Sequence, residues 1–164
     1  MAQTILVIDD EEIVLESCRR IFFDEGFNVV ITTSPNEGLK LASDSSFDVI
    51  LVDWKMPGFD GMDVIEELER RTPDSAVVMI SGFPSTGRAI EAMKRGAMDY
   101  VSKPFTPEEI TEAVKRAMQR KLTEEKKALG RFEKIMKSVQ FPTASMEDKP
   151  PQTIAETVAL TIGV

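Results

Sequence analysis

Five short apolar runs, each followed by a stretch with helical spacing, limit the folds open to this chain more than any other feature. The runs are Thr4–Ile8, Asn28–Thr32, Val49–Val52, Ala76–Ile80 and Met98–Val101. Turn or cap chemistry bounds them, as in Ser34-Pro35, Pro57-Gly58, Thr72-Pro73 and Lys103-Pro104. Between the runs apolar residues recur about every 3.6 positions. Ile13, Val14, Ser17, Cys18 and Ile21, for example, share one face of the first helical stretch. Short apolar strands joined through helices are parallel and covered on both faces. The expected class is therefore α/β, a five-stranded parallel sheet wound with helices on both sides.

Three runs lead into charged residues. Ile5-Leu6-Val7-Ile8 leads into Asp9-Asp10, Val49-Ile50-Leu51-Val52 into Asp53, and Tyr100-Val101-Ser102 into Lys103-Pro104. In a parallel sheet all of these side chains emerge at the same carboxyl edge, where open α/β sheets bind ligands. Clustered carboxylates repel one another unless a cation sits among them, and hard oxygen donors favour Mg²⁺. Each piece alone has an ordinary explanation. Asp9 and Asp10 can cap a helix, Asp53 can open a turn, and Lys103 can be a solvated surface lysine. Together at strand ends they point to a site for metal and phosphate.

Composition narrows the classes further. The chain has 164 residues, enough for one domain and an extension, and 42% of them are hydrophobic. A net charge of −8 argues against a nonspecific nucleic-acid coat. Cys18 is the single cysteine, so no internal disulfide can form, and a reducing, cytoplasmic setting is expected. Its place in an amphipathic stretch reads as a small core residue. No run approaches the length of a membrane span, and the N-terminus lacks the pattern of a secretory signal. Histidine is absent, which removes histidine catalysis, histidine-ligated metals and a phosphohistidine carrier role.

The last helix opens at Thr106-Pro107-Glu108-Glu109, with threonine as N-cap, proline first and acids in the first turn. From Pro107 to about Gln140 it meets no further proline, and Gly130 is its one glycine and a candidate kink. Leu122, Leu129, Phe132, Met136 and Val139 fit a seven-residue seam broken by Glu125, with Lys121–Lys127 as its solvated part. This extension either pairs with a second copy or folds back on its own domain. Residues 141–151, with Pro142, Pro150 and Pro151, read as a linker. The apolar tail 152–164 reads as a strand, a docking peptide or the remnant of a further domain.

Val7-Ile8-Asp9-Asp10-Glu11, Leu51-Val52-Asp53, Met56-Pro57-Gly58-Phe59-Asp60-Gly61, Ile80-Ser81-Gly82 and Lys103-Pro104-Phe105 together resemble the receiver domain of bacterial two-component response regulators. The resemblance spans residues 3–121, about three quarters of the chain. It implies a receiver at 1–121, a helical extension at 122–140, and a flavodoxin-like sheet of strand order 2-1-3-4-5. Asp53 would be the phosphoacceptor, a carboxylate nucleophile toward a phosphohistidine on a partner kinase or phosphotransfer protein. Asp10 and Asp53 would bind Mg²⁺ directly, Asp9 through water, and the Lys55 carbonyl would complete the protein ligands. Lys103 and the Ser81 hydroxyl would hold phosphoryl oxygens, with the Gly82 N–H assisting. A cis Lys103–Pro104 bond would aim the lysine inward, so Pro104 belongs to the switch with Ser81 and Tyr100. Phe83 and Lys55 would flank the phosphate entrance and tune hydrolysis.

The stretch from Gly87 to Tyr100 is similar to receivers of regulators that activate transcription through an attached ATPase. Such receivers often pair through helix 4 (about Ser85–Arg95), strand 5 and helix 5, so a homodimer is one expected output. The sequence has no phosphate loop of the Gly-x-x-x-x-Gly-Lys-Ser/Thr type and little room for a DNA-reading domain, so direct DNA binding is not expected. Two rivals come from other classes. A dehalogenase-type phosphohydrolase also uses an aspartyl nucleophile and Mg²⁺, but needs Asp-x-Asp where this chain has Asp53-Trp54-Lys55. A flavodoxin-like FMN carrier would place hydroxyl and amide donors after the first strand, where Asp9-Asp10 would repel a phosphate. The expected function is a signalling switch and not a turnover enzyme.

Overall fold

A computed structural model describes residues 2–83 and 85–139. Its five sheet strands are β1 (Thr4–Ile8), β2 (Asn28–Thr32), β3 (Val49–Asp53), β4 (Ala76–Ser81) and β5 (Asp99–Ser102). All pair in parallel, in the order β2-β1-β3-β4-β5. The helices are α1 (Glu12–Asp24), α2 (Pro35–Asp44), α3 (Gly61–Arg71), α4 (Thr86–Lys94) and α5 (Pro107–Ser138). The expected fold class and strand order are those observed. A small antiparallel hairpin, Lys55–Met56 with Phe59–Asp60, was not expected and follows β3 directly. The sheet and its charged edge lie within the compact unit that ends at Ala128, inside α5.

Alternation along β1 shows why the sheet is two-sided. Ile5 and Val7 pack with Leu15, Cys18 and Phe22 of α1 and with Ile110, Ala113, Val114 and Ala117 of α5. Leu6 and Ile8 face the other way, into a cluster that also holds Ala42 of α2, Ile65 and Leu68 of α3, and Ala92 of α4. Residues 5–8 and 49–52 are fully buried, as expected for central strands. Phe22 and Phe27 add an edge-to-face aromatic contact at 5.8 Å.

Side chains set the helix starts. The Ser34 hydroxyl accepts from the Glu37 N–H at 3.2 Å, with Pro35 in the first turn. Asp60 accepts from the Met62 N–H at 2.9 Å, Ser85 from Arg88 at 3.2 Å and Thr106 from Glu109 at 3.1 Å. Helix α5 starts at Pro107 as read from the sequence and runs unbroken through Gly130. The proline linker and apolar tail lie outside the described residues.

Helix α1 departs from expectation. Its buried seam is Leu15, Cys18 and Phe22, whereas Ile13 is 75% exposed. Ile13, Val14, Ser17 and Ile21 do share a face, but it lines an open groove of about 650 Å³ with Phe83, Lys103 and Phe105. The apolar arc of α1 is wider than its sheet contact, and spacing alone does not say which part of the arc meets the sheet. Strand ends also shift by one residue: β3 and β4 take in Asp53 and Ser81, and β5 begins at Asp99.

Candidate functional site

Register brings the charged residues together. Ile8 pairs with Val52, so Asp9 and Asp53 leave adjacent strands at the same level. Asp53 pairs with Ile80 and Ser81 with Ser102, which places Ser81 and Lys103 on the same edge. Asp9, Asp53 and Ser81 are buried, while Asp10, Glu11 and Lys55 are exposed. The Lys103 Nζ lies 2.8 Å from Asp9 Oδ2, 3.0 Å from Glu11 Oε1 and 3.2 Å from Asp53 Oδ1. Its peptide bond to Pro104 is cis.

One lysine does not balance this cluster. Carboxylate oxygens of Asp9, Asp10, Glu11 and Asp53 lie within 4.8 Å of one another. Asp9 Oδ1 accepts from the Glu11 N–H at 2.9 Å. Asp9 Oδ2 is fully buried, and the Lys103 ammonium, 2.8 Å away, is the cation beside it while also serving Glu11 and Asp53. Buried carboxylates that share a single ammonium are costly unless further positive charge joins them. The donor set is all hard oxygen, so a divalent hard cation fits it.

The electrostatics reflect the same imbalance. Burial, then the charge of Asp9, pushes the Asp53 carboxyl up to about 7; Lys103 opposes this and the adjacent Asp10 carboxyl adds to it. Burial also raises Asp9 above its ordinary range, against the pull of Lys103 and the Glu11 N–H. For Lys103 burial works against the ammonium, but Asp9, Glu11 and Asp53 outweigh it and hold the amine above its usual value. Cys18, deep in the core, is pushed up to about 12 by burial and stays a neutral thiol.

The other expected residues fall around this centre. The Ser81 hydroxyl oxygen accepts from the Phe83 N–H at 3.1 Å, and the Ser81 carbonyl accepts from the Lys103 N–H at 2.7 Å. A Cβ on Gly82 would meet nothing within 4 Å, so that flank of the edge is open. Tyr100 is half-buried, and its hydroxyl is buried without a hydrogen-bond partner. Lys55 opens the hairpin immediately after Asp53-Trp54.

Four residues matter more than the sequence suggested. Glu11 is a third acid on Lys103, visible beforehand only as the end of Asp9-Asp10-Glu11. Gly61 holds the backbone behind Asp53: its N–H donates to the Trp54 carbonyl at 2.8 Å, and a Cβ there would lie 2.5 Å from the Asp53 carbonyl oxygen. Trp54 and Arg88 stack beside Asp53, with the guanidinium carbon 3.7 Å from the ring centroid. No spacing in the sequence announces that pair.

Comparisons with known proteins bear on the fold that carries this edge. The profile of the response regulator receiver domain matches residues 5–115. An NtrX-like response regulator of Rickettsia bellii is 32% identical over 117 residues, covering 70% of this chain and 24% of that protein. The chain spans 24% to 46% of the length of the first curated relatives it matches. A Burkholderia pseudomallei response regulator, solved with a phosphorylated aspartic acid, calcium ion and citrate, is 31% identical. Its TM-score is 0.67, over 75% of this chain and 72% of that one. The beryllofluoride-activated NtrC4 receiver domain dimer is 33% identical with a TM-score of 0.68, over 72% of this chain and 98% of that one. The NtrX-like and NtrC4 matches accord with the resemblance to receivers of ATPase-type activators.

Proposed function

Because this chain belongs to the response regulator receiver domain family, we propose that it accepts a phosphoryl group on Asp53 and signals by the conformational change that follows. The carrying observation is the convergence of Asp9, Asp53 and Lys103 within 3.2 Å contacts at one sheet edge, with more carboxylates than ammonium groups in the cluster. The donor is a phosphohistidine on a sensor kinase or phosphotransfer protein. An Asp53 carboxylate oxygen bonds to phosphorus, the phosphorus–nitrogen bond breaks, and its electron pair returns to the imidazole.

Asp10, Asp53 and the Lys55 carbonyl would hold Mg²⁺ directly, with Asp9 through water. Bound there, the ion supplies charge neutralisation as the phosphoryl group moves. Lys103 pairs with a phosphoryl oxygen as a point charge, the Ser81 hydroxyl donates to another, and the Gly82 N–H lies open to help. Phosphorylation adds charge and acceptor oxygens, which recruits Ser81 and Lys103 and biases the packing of Tyr100 and Pro104 behind them. The switch thus consumes a phosphoryl group once per cycle, which suits a signalling module better than a phosphohydrolase.

Residues 1–121 serve as the receiver in this reading, 122–140 as a helical extension, 141–151 as a linker and 152–164 as an apolar tail. Output is by protein contact or by a homodimer through α4, β5 and α5 or the extension, in the cytoplasm. No described helix is long and apolar enough to cross a membrane. The test is intact mass with acetyl phosphate and Mg²⁺. One added phosphoryl group on the wild type and none on Asp53→Asn is expected; equal labelling of both would remove Asp53 from the reading.

A further inference from the structure

Arg88 stands outside the charged cluster but touches its neighbours at two points. Its guanidinium lies flat on Trp54, the residue after Asp53, 3.7 Å from the ring centroid. The same group donates through Nη1 to the Phe83 carbonyl. Phe83 in turn meets Trp54 edge to face at 6.3 Å, and its N–H donates to the Ser81 hydroxyl oxygen. The Phe83 backbone is thus held through both its N–H and its carbonyl, although the residue is 62% exposed. A free surface phenylalanine would sample several rotamers, whereas this one is pinned against Trp54.

Nothing in the packing of α4 explains the arrangement. Ala92 is the buried residue of that helix, and Ile90 and Met93 are exposed. Polar contacts add to the attachment that Ala92 provides. Arg95 at the C-terminal end reaches Glu91 at 2.8 Å, and Asp63 and Glu66 of α3 at 3.4 and 3.5 Å. Arg88 makes the corresponding contact at the N-terminal end, and it does so beside Asp53.

We propose that Arg88 is a positioning residue that sets the lifetime of the phosphoryl group, by pinning Phe83 to Trp54 as a wall beside Ser81, Gly82 and Lys103 at the edge that holds Asp53. The proposal rests on Asp53 being the phosphoacceptor. In hydrolysis a water oxygen bonds to phosphorus and the bond to the Asp53 oxygen breaks. The electron pair stays on the carboxylate, and the water protons leave on inorganic phosphate. Water must approach phosphorus opposite the Asp53 oxygen, and a fixed aromatic wall restricts that approach more than a mobile one. Arg88 touches no reacting atom and acts through Trp54 and Phe83.

The test compares wild type, Arg88→Met and Arg88→Lys after phosphorylation by acetyl phosphate and Mg²⁺, with loss of the group followed by intact mass. Arg88→Met keeps length but loses both the charge and the donor, and its phosphoryl half-life shortens about fivefold, the scale of one cation–π contact plus a hydrogen bond. Arg88→Lys retains the charge and recovers part of the lifetime. Trp54 is the one tryptophan of the chain, so its emission reports the contact directly. Emission of the unphosphorylated Arg88→Met protein changes, while its urea unfolding stays a single cooperative transition. Trp54→Leu shortens the lifetime similarly, and adding Arg88→Met to it shortens it no further. An unchanged half-life in Arg88→Met, or full additivity with Trp54→Leu, overturns the proposal. A wild-type chain that takes up no phosphoryl group overturns the assignment of Asp53 and this inference with it.

Discussion

Replacing Asp53 with asparagine should stabilise the metal-free protein at alkaline pH. The side chain keeps its shape and its acceptor for Lys103 but loses a buried charge beside Asp9 and Asp10. Moving a carboxyl from an ordinary 3.8 to about 7 costs the ionised folded state roughly 4 kcal/mol, at about 1.36 kcal/mol per pH unit. That figure is a ceiling, because relaxation and entering water reduce it, and we expect about 2–4 kcal/mol at pH 8. The sign follows from proton counts. Between pH 3.8 and about 7 the folded state keeps a proton that the unfolded state releases, so wild-type stability falls as pH rises through that window. The penalty is complete above about 7 and disappears below 3.8. The assay is urea unfolding with a chelator at pH 8 and pH 5, repeated with Mg²⁺. Asp53→Asn unfolds at higher urea at pH 8, the gap narrows at pH 5, and Mg²⁺ closes it by binding the wild type more tightly. A variant no more stable than wild type at pH 8 without metal would refute the argument, as would a gap that does not respond to pH.

Three further outcomes follow from particular contacts. Gly61→Ala places a methyl 2.5 Å from the Asp53 carbonyl oxygen, against backbone rather than a flexible side chain. It should destabilise by about 1–3 kcal/mol and weaken Mg²⁺ binding, as read by unfolding and metal titration. Tyr100→Phe removes a buried hydroxyl that has no partner, so stability should hold or rise by about 1 kcal/mol in urea unfolding while the response to phosphorylation changes. Lys103→Ala leaves Asp9 and Asp53 without their amine. Metal-free protein should lose about 3 kcal/mol or more at neutral pH, and Mg²⁺ should still bind and restore much of it, with a weakened switch after phosphorylation.

The two-sided sheet was legible because its signal is local. Residues 5–8 and 49–52 are apolar on both faces, and only burial on both sides of a parallel sheet accommodates that pattern. Strand-end chemistry was legible for the same reason: Asp9, Asp53 and Lys103 each directly follow or end an apolar run, and parallel pairing brings such ends to one edge. Thr106 was legible as a cap, and Ser34-Pro35 as turn or cap chemistry, because a cap and its helix are neighbours in sequence.

What only the tertiary structure decided concerns residues that meet across long loops or through a rotation the sequence leaves free. The burial of Leu15, Cys18 and Phe22 in place of Ile13 depends on how α1 rolls on the sheet, a choice among apolar arcs of similar character. Glu11 reaches Lys103 across 92 positions, and Arg88 finds Trp54 because α4 begins beside the end of β3. Gly61 and the Asp53 carbonyl approach closely because a short hairpin folds the chain back on itself. The sequence by itself determined which residues end at the edge; the distances among them, and the shortage of positive charge there, arose from packing, because only the folded chain removes water from carboxylates that would otherwise share it.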